Sequence, residues 1–189
     1  MPVRAGVLDL SIEPPEVVCV DTSALIRALF DDQPQHSDYL GFFARVAEAG
    51  STIVYSELLD LELAQMCVKS ARNRSNGRRE ESTRLGRELV RSTFAAWQDI
   101  YTLTDSVRVT LAGGDEPGMV GSPVRAAAFY LIEHGGIESY DATHAATAIT
   151  YGAPILTADQ DFADVPAERL EIITHQESVE AFRQYPLRA

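Results

Sequence analysis

The sequence predicts an α/β fold, a parallel sheet covered by helices on both faces. Three observations predict it. Short β-branched runs alternate with longer stretches of helical periodicity along the chain. The runs are apolar and bounded by Pro or polar residues, the pattern of strands buried in a parallel sheet. The length, 189 residues, suits one domain, and 46% hydrophobic content is enough to bury a core.

Residues 1–15 form an N-terminal lead-in ending at Pro14-Pro15, and residues 16–189 form the domain. The run 16–21 is the first strand, with Asp21 at its carboxyl end. Thr22 or Ser23 caps a helix over 22–30. A second helix, 36–50, stops at Gly50. Strand 51–56 follows, then a helix over 57–73 with Leu58, Leu61, Met66 and Val68 among its apolar positions. Asn73, Ser75, Asn76 and Gly77 break the helix, and 78–97 resumes its period. Residues 98–104 read as a third strand and 105–112 as a helical turn capped by Asp105. Gly and Pro make 112–123 the clearest loop. Helices over 124–136 and 137–152 end at glycines. Strands 153–159 and 170–174 and a closing helix, 175–185, complete the chain.

Composition excludes several classes. No run of about 18 apolar residues exists, so no membrane-spanning helix is expected. The N-terminus does not read as a signal peptide. Cys19 and Cys67 sit in apolar surroundings, as reduced core thiols of a cytoplasmic protein do. Two Cys and four scattered His make no zinc motif. There is no Gly-rich loop followed by Lys-Ser/Thr, which argues against nucleotide hydrolysis.

The net charge of −12 argues against diffuse nucleic-acid binding. Its distribution is uneven. Lys69, Arg72, Arg74, Arg78, Arg79, Arg84, Arg87 and Arg91 face only Glu80, Glu81 and Glu88 within 69–91, a net of +5. The remainder carries −17. The chain is an acidic body with a basic helical elaboration at 69–91.

Ligands of parallel sheets bind beyond the carboxyl ends of the strands. Asp21 and Asp159 lie at such ends, and Asp161 lies in the next turn. Glu62 and Asp141 sit in helices among small or apolar neighbours. Each acid has a plain reading: helix cap for Asp21, solvated face for Glu62 and Asp141, turn former for Asp159 and Asp161. Converging at one edge, they repel each other, and a divalent cation relieves that repulsion. Oxygen ligands suit Mg2+ or Mn2+, whose chemistry is the activation of water against a phosphodiester.

Four blocks in order, VVCVDTSALI, YSELLDLELAQ, SYDATHAATAITYG and APILTADQDF, resemble the PIN-domain family. That family includes metal-dependent ribonucleases, among them VapC-type toxins of toxin–antitoxin pairs. The resemblance covers most of residues 16–175 and implies a three-layer α/β/α sandwich with a parallel sheet of about five strands. It implies an endoribonuclease that hydrolyses RNA and is the toxin of such a pair. Its partners would be RNA and an antitoxin, and it would form a homodimer. Carried over by position, Asp21, Glu62, Asp141 and Asp159 are the catalytic set. Asp21, Asp141, Asp159 and Asp161 are the metal ligands of Mg2+ or Mn2+. Thr22, Ser23 and Thr157 are expected to hydrogen-bond a metal-bound water or a phosphate. Ser56 with Glu62 fits the pattern better than Ser56 with Glu57. His144 is expected to pack within its helix rather than act as a base.

Arg72, Arg74, Arg78 and Arg79 are expected to grip the RNA backbone, the alternative being helix-surface pairing with Glu80, Glu81 and Glu88. Trp97 reads as core. Two rival functions remain. One is a non-catalytic PIN-like nucleic-acid-binding module, disfavoured because no acid of the set is replaced. The other is a receiver-type phosphoacceptor, which wants a Lys at a late strand end. Lys69, the only Lys, falls within a helix.

Overall fold

The structure is a computed structural model that describes residues 6–76, 78–111, 122–166 and 169–184. In chain order its elements are β1 (Val7–Asp9), β2 (Val17–Val20), α1 (Thr22–Leu29), α2 (His36–Glu48), β3 (Thr52–Ser56), α3 (Leu58–Arg74) and α4 (Arg79–Leu103). There follow β4 (Asp105–Val109), α5 (Pro123–Gly135), α6 (Ser139–Tyr151), β5 (Ile155–Leu156), a 3-10 helix (Gln160–Asp164), β6 (Ile172–Thr174) and α7 (Gln176–Gln184).

The strands form one sheet in the order β1-β6-β5-β2-β3-β4. Every pairing is parallel. Successive side chains alternate across the sheet. Val18, Val20, Ile53, Tyr55, Leu156 and Ile173 enter one core with α1 and α2 and part of α3 and α4. Cys19, Val54, Ile155 and Ile172 enter the other, with α5, α6 and α7. The architecture is the expected three-layer sandwich.

The sheet has six strands, not about five. The sixth is β1, inside the segment read as a loose lead-in. Val7, Leu8 and Asp9 pair with Ile172, Ile173 and Thr174. Three residues are too few to show a period, and pairing with β6 alone reveals them.

The third strand also lies elsewhere than expected. Residues 98–103 continue α4, and Asp105–Val109, read as a helical turn, is β4. The reason is packing. Trp97 and Tyr101, one turn apart, both meet the Tyr55 ring of β3 edge-on, at centroid distances of 5.4 and 6.2 Å. That contact holds the helix beyond Trp97. The next residues then pair with β3 from Thr52↔Asp105 to Ser56↔Val109. Trp97 is core, as expected.

The apolar stripe of α3 is displaced as well. Its buried residues are Leu59, Leu63, Cys67 and Ala71, while Leu61 is 63% exposed. A four-residue spacing puts the buried set on one helix face. The basic elaboration is an α3–α4 hairpin. It closes where Ala71 meets Gly86, whose absent Cβ would stand 3.6 Å from the Ala71 Cβ. Of the loop expected at 112–123, residues 112–121 lie outside the described residues. Both cysteines are buried and free. Among the described residues no helix is long and apolar enough to cross a membrane.

Candidate metal centre

The chain leaves β2 toward β3 and β4, then crosses back to β5 and β6. The carboxyl ends of β2 and β5, which are neighbours, therefore bound the crevice where the strand order reverses. Asp21 follows β2 and Thr157 follows β5. The backbone N–H of Asp21 donates to the Leu156 carbonyl, which fixes the two ends against each other.

Asp21 is 3% exposed. One of its oxygens, Oδ2, accepts from the Ser23 backbone N–H at 3.1 Å, from the Ser23 hydroxyl, and from the Thr157 hydroxyl at 2.8 Å. It is thus both the cap of α1 and something more. Its other oxygen has no hydrogen-bond partner among the described residues. Glu62 repeats the arrangement. Its Oε2 accepts from the Thr22 hydroxyl at 2.5 Å and lies 2.7 Å from His144 Nε2. Its Oε1 is free of hydrogen bonds among the described residues. Each acid spends one oxygen on the protein and presents the other to the crevice.

Asp21, Glu62 and His144 form a cluster, one ligand atom of each lying within 4.8 Å of the others. Asp141, on the same face of α6 as His144, and Asp159, after β5, are close enough to feel it electrostatically. Burial, then the charges of Asp21 and Asp159, push the Asp141 carboxyl up to about 7. Burial raises Asp159 too, with Asp21 and Asp161 adding repulsion. Burial alone would also raise Glu62, but the His144 hydrogen bond and charge outweigh it, with help from Thr22, and the net shift is downward. For His144, burial favours the neutral ring, yet the Glu62 hydrogen bond and the surrounding carboxylates prevail and raise its pKa.

Asp161 is the outlier of the expected metal ligands. It is exposed, and its backbone N–H donates to Asp159 Oδ1, which caps the 3-10 helix. Glu57 is engaged elsewhere, its carboxylate accepting from the Leu111 N–H. Thr22, Ser23 and Thr157 were expected to face a phosphate or a metal-bound water. Their hydroxyls point at the carboxylates instead and act as positioning groups. His144 does more than pack. It is fully buried, as expected, but joins the cluster through Glu62. Its three-residue spacing from Asp141, which puts both on one helix face, was the available signal.

The four arm arginines do not converge. Arg74 pairs with Asp32 and Arg78 with Glu81. Arg72 and Arg79 line a separate groove between α3 and α4. No aromatic residue lines that groove.

A divalent cation fits this donor set. Hard carboxylate oxygens, two of them held from behind and free in front, match oxygen-ligand coordination. Repelling acids are what such an ion relieves. Without the ion, folded Asp141 keeps its proton to about pH 7, while the unfolded chain releases it near 3.8. The folded state then binds more protons between those values, so stability falls as pH rises through that window and levels off above it. Thermal melts in EDTA should therefore show Asp141→Asn gaining on the wild type from about pH 4 to pH 7. A difference that stays constant with pH would contradict the buried, repelled carboxyl.

Comparison with known proteins agrees with the geometry. A crystal structure of VapBC2 from Rickettsia felis, bound to a DNA fragment from their promoter, superposes with a TM-score of 0.51. It shares 17% identity, over 84% of this chain and 97% of that one. PAE2754 from Pyrobaculum aerophilum gives a TM-score of 0.49 at 16% identity, over 87% of this chain and 88% of that one. No curated protein sequence matches. The family model described as PIN domain matches residues 18–168, a span that holds every acid of the crevice from Asp21 to Asp161, and the chain belongs to the PIN-domain family.

Proposed function

We propose that this chain is a divalent-metal-dependent endoribonuclease that hydrolyses RNA phosphodiester bonds. One observation carries the reading: Asp21 and Glu62 each anchor one oxygen to the protein and leave the other open, beside two carboxylates held at raised pKa. The open oxygens are not closed off from solvent, so a cation can reach them. Asp21, Glu62, Asp141 and Asp159 are assigned to hold the ion, Mg2+ or Mn2+. Bound there, the ion supplies an activated water and stabilises charge at the scissile phosphate.

The protein's own contribution is positioning. Ser23 and Thr157 fix the Asp21 carboxylate, and Ala158 N–H in turn donates to the Ser23 hydroxyl at 2.9 Å. Thr22 and His144 fix Glu62. Such partners orient metal ligands and are worth roughly 10–100-fold in affinity or activity. Asp161 donates its backbone N–H to the Asp159 cap of the 3-10 helix and takes no metal in this reading. Outside the crevice, Arg74 and Arg78 contact the RNA backbone by exchanging Asp32 and Glu81 for phosphate. Both ion pairs are exposed and cost little to give up.

The role in the cell is proposed to be that of a toxin whose partner is an antitoxin. The support is the fold shared with VapBC2, together with an acidic crevice that a basic group of a partner would seal.

Three outcomes test these statements. Purified protein with Mg2+ or Mn2+ should cut a mixed RNA pool, and EDTA should stop it. Asp21→Asn should lower the rate on the order of a thousandfold, as loss of a metal ligand does. Folded, metal-loaded protein that cuts no RNA would sink the enzyme reading. Expression of the wild type should arrest growth where Asp21→Asn does not. Equal growth of the two would remove the toxin role and leave the nuclease untouched. For the arm, Arg74→Ala with Arg78→Ala should flatten the salt dependence of RNA binding by about two units of slope. An unchanged slope would return both arginines to the helix surface.

A further inference from the structure

The α3–α4 hairpin carries a feature that the crevice does not use. Between the two helices runs a groove of about 640 Å3. Val68, Gly86 and Val90 give it an apolar lining, with Gly86 packed against Ala71. Arg72 stands on one wall, and Arg79, Arg87 and Arg91 stand along the other. All four arginines are exposed, and none makes an ion pair among the described residues. Arg84, just outside the groove, does pair, with Glu88. Unpaired cations thus gather at one place on a chain whose net charge is −12.

We propose that this groove binds an acidic amphipathic helix of a partner protein. Its shape, a cleft between two packed helices with an apolar lining, is that of helix-in-groove recognition. Its charge selects the partner, because carboxylates flanking an apolar stripe meet arginine on both walls, and Arg is suited to grip carboxylate with two donors. Its length selects the partner too: from Arg79 to Arg91, α4 rises roughly 18 Å, about three turns. RNA fits less well. Base recognition on a protein surface rests on aromatic stacking, and the lining holds aliphatic side chains and no ring. A phosphate backbone gains nothing from the two valines. The groove begins roughly 9 Å along α3 from Glu62, counted from Glu62 to Val68. Docking there is independent of the nuclease reading.

The test uses the full chain and a fluorescein-labelled peptide of about four helical turns, with Leu along one stripe and Glu on both flanks. Fluorescence anisotropy should show saturable binding in the micromolar range, weaker at high salt. Arg87→Glu with Arg91→Glu should weaken it about tenfold or more. Val90→Asp should weaken it as well, and Asp21→Asn should leave it unchanged. If the charge reversal impairs folding by circular dichroism, Arg87→Gln with Arg91→Gln carries the same expectation at several-fold. Four results would overturn the proposal. The peptide with Lys in place of every Glu binds as well. The Glu peptide does not bind. Single-stranded RNA binds through Arg87 and Arg91 while the peptide does not. The chain sediments as a dimer that these substitutions dissolve, which assigns the groove to a second copy.

Discussion

Three hydrogen-bond donors meet on a single oxygen of Asp21, and the geometry of the crevice depends on that convergence. The donors come from the first turn of α1 and from the residue after β5. They tie together the two strand ends at which the sheet order reverses. A buried carboxylate is expensive unless its lone pairs are met, and here half of them are met by the fold. The unmet oxygen is held in place by the same bonds that stabilise its neighbour. The same bonds that fix one oxygen leave the other open.

The surrounding acids extend the same constraint. Asp141 and Asp159 cannot ionise freely beside Asp21 in a half-buried site, and their pKa values rise. His144 is the internal counterweight. It holds Glu62 in its ionised form and takes a raised pKa in exchange. Among the described residues Nδ1 of that buried ring has no hydrogen-bond partner, and its Nε2 meets Glu62. The centre is partly compensated: Glu62 has an imidazole partner, and repulsion is left over among the other carboxylates.

Charge is segregated on a larger scale as well. The acids of the crevice cluster at the carboxyl edge of the sheet, while eight of the sixteen Lys and Arg residues stand on the α3–α4 hairpin. Arg74 reaches back to Asp32, in the turn after α1, so the hairpin tip leans over the end of the helix that carries Ser23. Gly86 against Ala71 lets the two long helices approach closely. The groove runs along the same pair of helices.

Much of this was legible in the residues. VVCV after a Pro pair, TIVY and EIIT read as strands because continuous β-branched runs have no other comfortable state in a covered sheet. The sequence by itself determined the alternation of strand and helix, the parallel sheet it requires, and the acids that end strands or interrupt apolar helices. It did not determine β1, the end of α4 or β4. Those depend on partners far along the chain: Ile172–Thr174 for β1, Tyr55 and β3 for the other two. Nor did it distinguish Leu59 and Leu63 from Leu58 and Leu61 as the buried face of α3. The tertiary structure alone decided which hydroxyls turn inward, that His144 reaches Glu62, and that Asp161 stays in solvent. Thr22 with Glu62, His144 with Glu62 and Thr157 with Asp21 are contacts between side chains 40 to 136 positions apart, which no local pattern encodes.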